Sequence, residues 1–206
     1  MSKYVRIYGI DTSMTSTGIV CFKTYLSGIP TQFTNDLEPN VVELIESKPK
    51  KTETQLERFE SLTERIIDVL TVNRTKKIGI VFIEGYAFGI RKQNSLVYRG
   101  ELGGIFKYKL MKAGAKFFEI PPTSIKKFVA GKGNVKKQVI IKEVYKRWKF
   151  DTEDDNKADA FAIAKMGQIL YAIRKGMSRQ EVKDFLPQYQ FQAVSKLEFV
   201  KGWWGK

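Results

Sequence analysis

Asp11 ends a short apolar run, Val5-Arg6-Ile7-Tyr8-Gly9-Ile10, and is followed by Thr12 and Ser13. Glu84 ends a second run of the same kind, Ile78-Gly79-Ile80-Val81-Phe82-Ile83. A third acid, Asp159, lies in Ala158-Asp159-Ala160-Phe161-Ala162-Ile163-Ala164. That segment is apolar on most sides, so an ionised carboxylate there is costly unless something positive meets it. Asp155 and Asn156 precede Asp159 by four and three residues, spacings that share one face of a helix. One acid before hydroxyl residues is an ordinary turn or cap. Two acids closing two buried strands, with a third in a buried helix, point instead to a ligand set. The chain has no histidine, which removes the commonest general base and any histidine metal site. Oxygen ligands without imidazole or thiolate suit Mg²⁺ or Mn²⁺ rather than zinc. Two such ions about 4 Å apart can activate water and stabilise the leaving oxygen in phosphodiester cleavage.

For these acids to meet, the elements carrying them must share one edge of a sheet. The run ending at Asp11 has the length and composition of a buried strand. Thr12 to Gly18 is turn chemistry, and Ile19-Val20-Cys21-Phe22 doubles back as a second strand. Val41 to Glu46 reads as a third, so three antiparallel strands open the fold. Lys48 to Lys51 is a basic break. Thr52 with Gln55, or Thr54 with Glu57, then offers a capping box for a helix with Phe59, Leu62, Ile66 and Leu70 on one face. A strand reached through a helical crossover should run parallel to one already in the sheet; if that neighbour is the first strand, Glu84 comes close enough to Asp11 to share a metal. Ser95 to Met111 reads as a helix weakened by Gly100, Gly103 and Gly104, glycines that suit close approach to the sheet or to a second copy of the helix. Lys116 to Ile120 is a fifth strand. Thr123-Ser124 is read as the cap of a short helix carrying Lys126 and Lys127. From Val135 to Lys149 a basic helix has an apolar stripe of Ile141, Val144, Tyr145 and Trp148. The acidic loop from Asp151 supplies the cap of the Asp159 helix, with Asp154, Asp155 or Asn156 at that position. Ser178 caps a further helix, and Trp203-Trp204 is read as a docked tail. The result is an α/β fold whose sites lie at the carboxyl ends of parallel strands.

The 206 residues suffice for one domain with a proper core and carry a formal charge of +14. Nucleic acid is therefore the favoured partner, ahead of a membrane surface. Lys116 to Lys149 holds ten Lys or Arg against two acids, a net +8 in about a sixth of the chain. Lys126, Lys127, Lys132, Lys136 and Lys137 cluster near one turn there, which favours phosphate contact. The lone Cys21 excludes an internal disulfide and fits a reducing compartment. No run approaches membrane-spanning length, so a cytoplasmic location is expected.

Gly9-Ile10-Asp11-x-Ser13 with Thr17-Gly18, the Ile83-Glu84 strand end and the Ala158 to Ala164 helix resemble the RuvC family of Holliday-junction resolvases. Pro122 to Gly133 with Lys136-Lys137 resembles that family's DNA-binding and catalytic lysine segment, and Arg99-Gly100 matches a helix of its dimer. The likeness spans roughly residues 5 to 172, with five motifs in the family's order. It implies an RNase H-like five-stranded mixed sheet flanked by helices, a homodimer, and Mg²⁺-dependent paired nicks across a four-way DNA junction. By position, Asp11, Glu84 and Asp159 become metal ligands, and Lys126 and Lys137 fall where functional lysines contact the scissile phosphate region. Where the family usually has Asp or His three residues before Asp159, this chain has Asn156 beside Asp155. Either Asp155 supplies the fourth carboxylate or Asn156 binds as a neutral ligand. The aromatic that disturbs junction stacking corresponds to Tyr86 or Phe88. Residues 1–176 form the expected nuclease domain and 177–206 an extension packed on it or used for DNA or dimer contacts. A small divergent member of this kind suits a phage or another virus, whose host cytoplasm would then be its location. Competing readings are another RNase H-like nuclease acting on flaps or RNA, an actin-like or sugar-kinase half, and a non-catalytic binder of branched DNA. The chain is short for the kinase plan and lacks a second Asp-Gly-Thr-like loop, and the intact acids speak against the inactive binder.

Overall fold

The computed structural model describes residues 4–25, 38–71, 78–85 and 93–198. In chain order these form β1 (Tyr4–Asp11), β2 (Ser16–Tyr25), β3 (Val41–Glu46), α1 (Gln55–Leu70), β4 (Ile80–Glu84), α2 (Gln93–Lys112), β5 (Lys116–Ile120), α3 (Pro122–Ala130), α4 (Lys137–Trp148), α5 (Asp155–Arg174), α6 (Arg179–Phe185) and α7 (Gln188–Glu198). The five strands make one sheet in the order β3-β2-β1-β4-β5. β1 and β3 each pair antiparallel with β2, whereas β4 pairs parallel with both β1 and β5. This is the mixed sheet expected from three hairpin-type strands followed by helical crossovers.

Alternation along the strands divides the core in two. Tyr8, Ile10, Ile19, Cys21, Val81 and Ile83 pack with Phe59, Leu62 and Ile66 of α1 and Leu102, Phe106 and Leu110 of α2. On the opposite face, Ile7, Val20, Phe22, Phe82 and Phe118 pack with Phe161, Ile163, Met166 and Leu170 of α5 and with Phe128 and Trp148. α5 is buried nearly all round from Ala158 to Ala172, which is why its sequence shows no polar face. Two glycines let it lie that close to the strands. A Cβ at Gly9 would stand 2.2 Å from the Ala160 carbonyl oxygen, and one at Gly18 would stand 2.2 Å from that of Asn156.

Local chemistry sets the helix starts. Thr54 caps α1, accepting from the Glu57 N–H while Glu57 accepts from the Thr54 N–H, so the second of the two capping boxes forms. Asp154 caps α5, its Oδ1 accepting from the Lys157 N–H at 2.9 Å. That leaves Asp155 and Asn156 inside the first turn. The expected Thr123-Ser124 cap does not form. α3 starts at Pro122, so the cap position falls on Pro121, whose ring has no acceptor to offer the first helical N–H groups, while Pro122 suits the first helical position. α4 is shorter than expected, and its buried stripe is Ile140, Val144 and Trp148. Tyr145 is 52% exposed, since the helix turns one residue further toward Ile140 than the sequence pattern suggested.

α6 and α7 bury Val182, Ala193, Val194 and Leu197 in the same cluster as α3 and α5, and Gln190 of α7 donates to the Phe128 carbonyl at 3.0 Å. No helix among the described residues is long and apolar enough to cross a membrane. Trp203 and Trp204 lie outside the described residues.

Candidate active site

The register of two strands assembles the acids. Ile10 of β1 pairs with Ile83 of β4, so the residues that follow, Asp11 and Glu84, end their strands level with each other. Neighbouring strands lie about 4.8 Å apart. Both acids continue the face that carries Ile7, Gly9 and Phe82, against which α5 packs. The close seat of α5 on Gly9 and Gly18 then brings Asp159, in its second turn, over the same point.

Asp11 is only 7% exposed. Burial holds its carboxyl well above the usual range, and the charges of Glu84 and Asp159 push it the same way, as does its hydrogen bond with Glu84. Glu84 is also raised by burial, against the pull of Asp11's hydrogen bond and of the Arg99, Lys126 and Lys137 charges. Asp159 is pushed up to about 7, by burial first and then by the Glu84 charge, while Lys137 and Lys126 work in the opposite sense. Three carboxyls therefore share one small space in which they cannot all be anionic without a compensating cation. A cavity of about 210 Å³ opens there, lined by Asp11, Glu84, Asp159, Asn156, Lys126 and Lys137.

The remaining residues singled out from the sequence separate into those on this cavity and those off it. Asn156 is on it, with its Nδ2 donating to Ser16 Oγ at 2.7 Å. Asp155 is at the rim, where Lys137 Nζ donates to its Oδ2. That contact raises the Lys137 ammonium above its ordinary value. Lys127 turns away and donates to Gln192 Oε1 of α7 at 3.0 Å. Lys132 and Lys136 are exposed, on the turn that α3 enters through Gly131, whose φ of 77° is the left-handed helix end that glycine permits. Tyr86 and Phe88 lie outside the described residues. Among the described residues, no group of three or more Asp, Glu, Cys or His side chains is arranged to hold a metal ion as the side chains stand.

One charged residue of the cavity was not assigned to the site from sequence. Arg99 of α2 lines it, although its motif pointed only to a dimer helix. The signal was a helix of mixed pattern, which cannot say which of its faces meets the sheet edge. Gly100 and Gly104 of the same helix do not approach the sheet, since a Cβ at either would meet nothing within 4 Å.

Level carboxylates at the ends of adjacent parallel strands, a third on a helix packed across them, and lysines at the mouth give an all-oxygen donor set beside groups that attract phosphate. The family model for crossover junction endodeoxyribonuclease RuvC matches residues 7–166, and the chain belongs to this family. Among solved structures it is similar to Thermus thermophilus RuvC, with a TM-score of 0.61 at 22% identity over 83% of this chain and 96% of that one. The T. thermophilus RuvC complex with a Holliday junction substrate gives the same TM-score of 0.61, at 20% identity and with the same 83% and 96% coverage. The yeast mitochondrial Holliday junction resolvase Ydc2 is more distant, with a TM-score of 0.53 at 14% identity over 87% of this chain and 83% of that one. No curated protein matches the sequence significantly.

Proposed function

We propose that this chain is a divalent-metal-dependent endonuclease that resolves four-way DNA junctions by paired nicks, acting as a homodimer. The observation that carries the reading is the convergence of Asp11, Glu84 and Asp159 from two strand ends and a buried helix on one lysine-edged cavity. The donor set fits Mg²⁺ or Mn²⁺, two ions per site: it is all oxygen, and it is crowded with carboxyls that hold protons for want of positive charge. Bound there, the metal supplies Lewis acidity for hydrolysis of the phosphodiester.

Asp11, Glu84 and Asp159 would hold the ions as carboxylates, and because burial raises the proton affinity of all three, metal and proton would compete for them. Asn156 is the fourth ligand we favour, because it lines the cavity and its nitrogen is already committed to Ser16, which leaves the carbonyl oxygen as the ligating atom. Asp155 acts through Lys137, holding the ammonium at the cavity mouth until a phosphate replaces the carboxylate. Lys126 draws the scissile phosphate from the other side. Lys132 and Lys136 bind the flanking backbone, and Lys127 contributes less because Gln192 engages it.

The homodimer rests on α2. Its inner face packs Leu102, Phe106 and Leu110 into the core, while Val97, Tyr108 and Met111 are 56%, 55% and 59% exposed along the outer one. Gly104 lies between them with open space around it. A single outer stripe of this kind on a helix that also lines the cavity suits pairing with a second copy. Residues 1–176 carry the nuclease site in this reading, and 177–206 extend it.

The test is cleavage of an immobile four-way junction beside a flap, a linear duplex and an RNA hybrid, with Mg²⁺ and with EDTA. Symmetric paired nicks in the junction, abolished by EDTA, are expected. Metal-dependent cutting of flaps or hybrids without symmetry would move the same site to another substrate. Tight junction binding without cutting would make the chain an inactive binder.

A further inference from the structure

We infer that the segment after β3, with Lys48, Lys50 and Lys51, is a second phosphate-binding flank, which holds the DNA backbone on the side of the acids opposite Lys126. The inference rests on the nuclease reading and adds a surface to it. In the sequence this segment is only a basic break between a strand and a helix, outside the dense lysine region. The topology gives it a different meaning.

β1 and β3 are both antiparallel to β2, and β1, β4 and β5 are parallel, so β3, β1, β4 and β5 all end at one edge of the sheet. Asp11 and Glu84 sit mid-edge. β5, at one end of the order, runs into α3 and Lys126. β3, at the other end, runs into Lys48, Lys50 and Lys51, all exposed. The acids are therefore bracketed by two basic segments. Four inter-strand gaps make this edge roughly 19 Å long, the axial length of five or six nucleotides at about 3.4 Å each. A strand that presents one phosphate to the acid cavity must leave across the rim on both sides, past carboxylates that repel it. A basic surface on each side offsets that repulsion.

The β3 flank is also tied to the site. Arg58 of α1 donates from Nε to Ser47 Oγ at 3.1 Å and from Nη2 to the Met14 carbonyl. The Ser47 N–H donates to the Thr15 carbonyl at 2.8 Å. The loop directly after Asp11 is thus fastened to the base of the lysine segment. A cleft of about 390 Å³ lies beside it, lined by Lys48, Lys50, Arg58 and Arg65 together with Glu46 and Glu53. Glu46 pairs with Lys48 at 3.4 Å, but both side chains are open to water, at 61% and 85% exposure. Such a pair is weak and yields readily to a phosphate.

The test compares Lys48→Ala/Lys50→Ala/Lys51→Ala with Lys116→Ala/Lys175→Ala/Lys183→Ala, which removes the same charge from exposed positions away from this edge. Binding of an immobile four-way junction is measured in EDTA across a salt series, and cleavage is measured at saturating enzyme with Mg²⁺. For the first variant, the slope of log affinity against log salt should fall by about 2 to 3, at about 0.9 for each phosphate that is no longer neutralised. Its affinity near 0.1 M salt should fall at least about tenfold by the same release of counterions. The second variant should keep the wild-type slope. If the first variant keeps slope and affinity while wild type binds and cuts, the flank is wrong and the nuclease reading stands. Equal losses in both variants would reduce the effect to net charge and overturn the flank. A wild-type protein that neither binds nor cuts the junction would overturn the nuclease reading and the flank together.

Discussion

Gly18→Ala should separate the positioning of the acids from the stability of the fold. In the structure a Cβ at this position would stand 2.2 Å from the Asn156 carbonyl oxygen, 2.4 Å from its carbon and 2.9 Å from the Lys157 nitrogen. Ordinary contact begins at 3.4 Å, and the obstacle is backbone, so no rotamer change relieves it. The first turn of α5 must retreat from β2 by roughly 1 Å, carrying Asn156 and, one turn on, Asp159. Overpacking of this kind costs about 1–3 kcal/mol. At about 2–4 °C per kcal/mol for a chain of this size, the protein should melt somewhat earlier but remain folded. A misplacement of about 1 Å at reacting groups costs on the order of 100-fold in rate. Single-turnover cleavage of a four-way junction at saturating enzyme should fall by about that factor, with junction affinity in EDTA little changed. Val20→Ala is the comparison, because Val20 is fully buried in the same strand and its loss costs about 2 kcal/mol without touching the turn. Wild-type cleavage by Gly18→Ala would refute the argument, as would an equal loss in Val20→Ala.

Asp11→Asn should reduce cleavage by more than about 1,000-fold while sparing or tightening junction binding, since it removes both a metal ligand and a buried negative charge beside the DNA; a gel shift beside the cleavage assay checks both. The Asp159 carboxyl lies at about 7 in the folded protein against 3.8 for the free group, so the folded state holds that proton more tightly. The associated stability is full below about 4 and is lost as pH rises through about 7, worth up to roughly 4 kcal/mol. Urea unfolding in EDTA between pH 4 and pH 8 should show the fall in wild type and a flatter profile in Asp159→Asn; identical profiles would remove Asp159 as its cause. Lys137→Ala should lower cleavage more than binding, while Lys127→Ala should change each by less than about threefold, since Gln192 already engages Lys127. Tyr108→Glu with Met111→Glu should convert a dimer into a monomer in light scattering; a dimer that survives both charges would place the interface elsewhere.

Much of this protein is written locally. The strand ends at Asp11 and Glu84, the Thr54-Glu57 box, one of the two the sequence offered, and the Ser178 cap depend on residues within a few positions of one another, and each forms in the structure. Alternation and helical spacing are short-range patterns too, so the five strands and the buried character of α5 were legible before any contact was known. Motif order along the chain likewise points to the RuvC family, whose match spans residues 7–166.

What the sequence left open depends on distances between elements far apart in the chain. Asp155 and Asn156 differ by one residue, and only the capping of α5 by Asp154 and the seat of its first turn on Gly18 put Asn156 on the cavity and Asp155 at the rim with Lys137. The lysines near Gly131 look equivalent in one dimension, yet the path of α3 between the cavity and α7 sends Lys126 to the acids and Lys127 to Gln192. Arg99 faces the site because the rotation of α2 is set by Leu102, Phe106 and Leu110 entering the core. The basic stretch after β3 becomes a flank of the site only through the strand order, which carries it to the sheet edge that bears the acids. Local sequence determined which residues carry charge and which elements hold them; close packing between distant elements decided which charges meet.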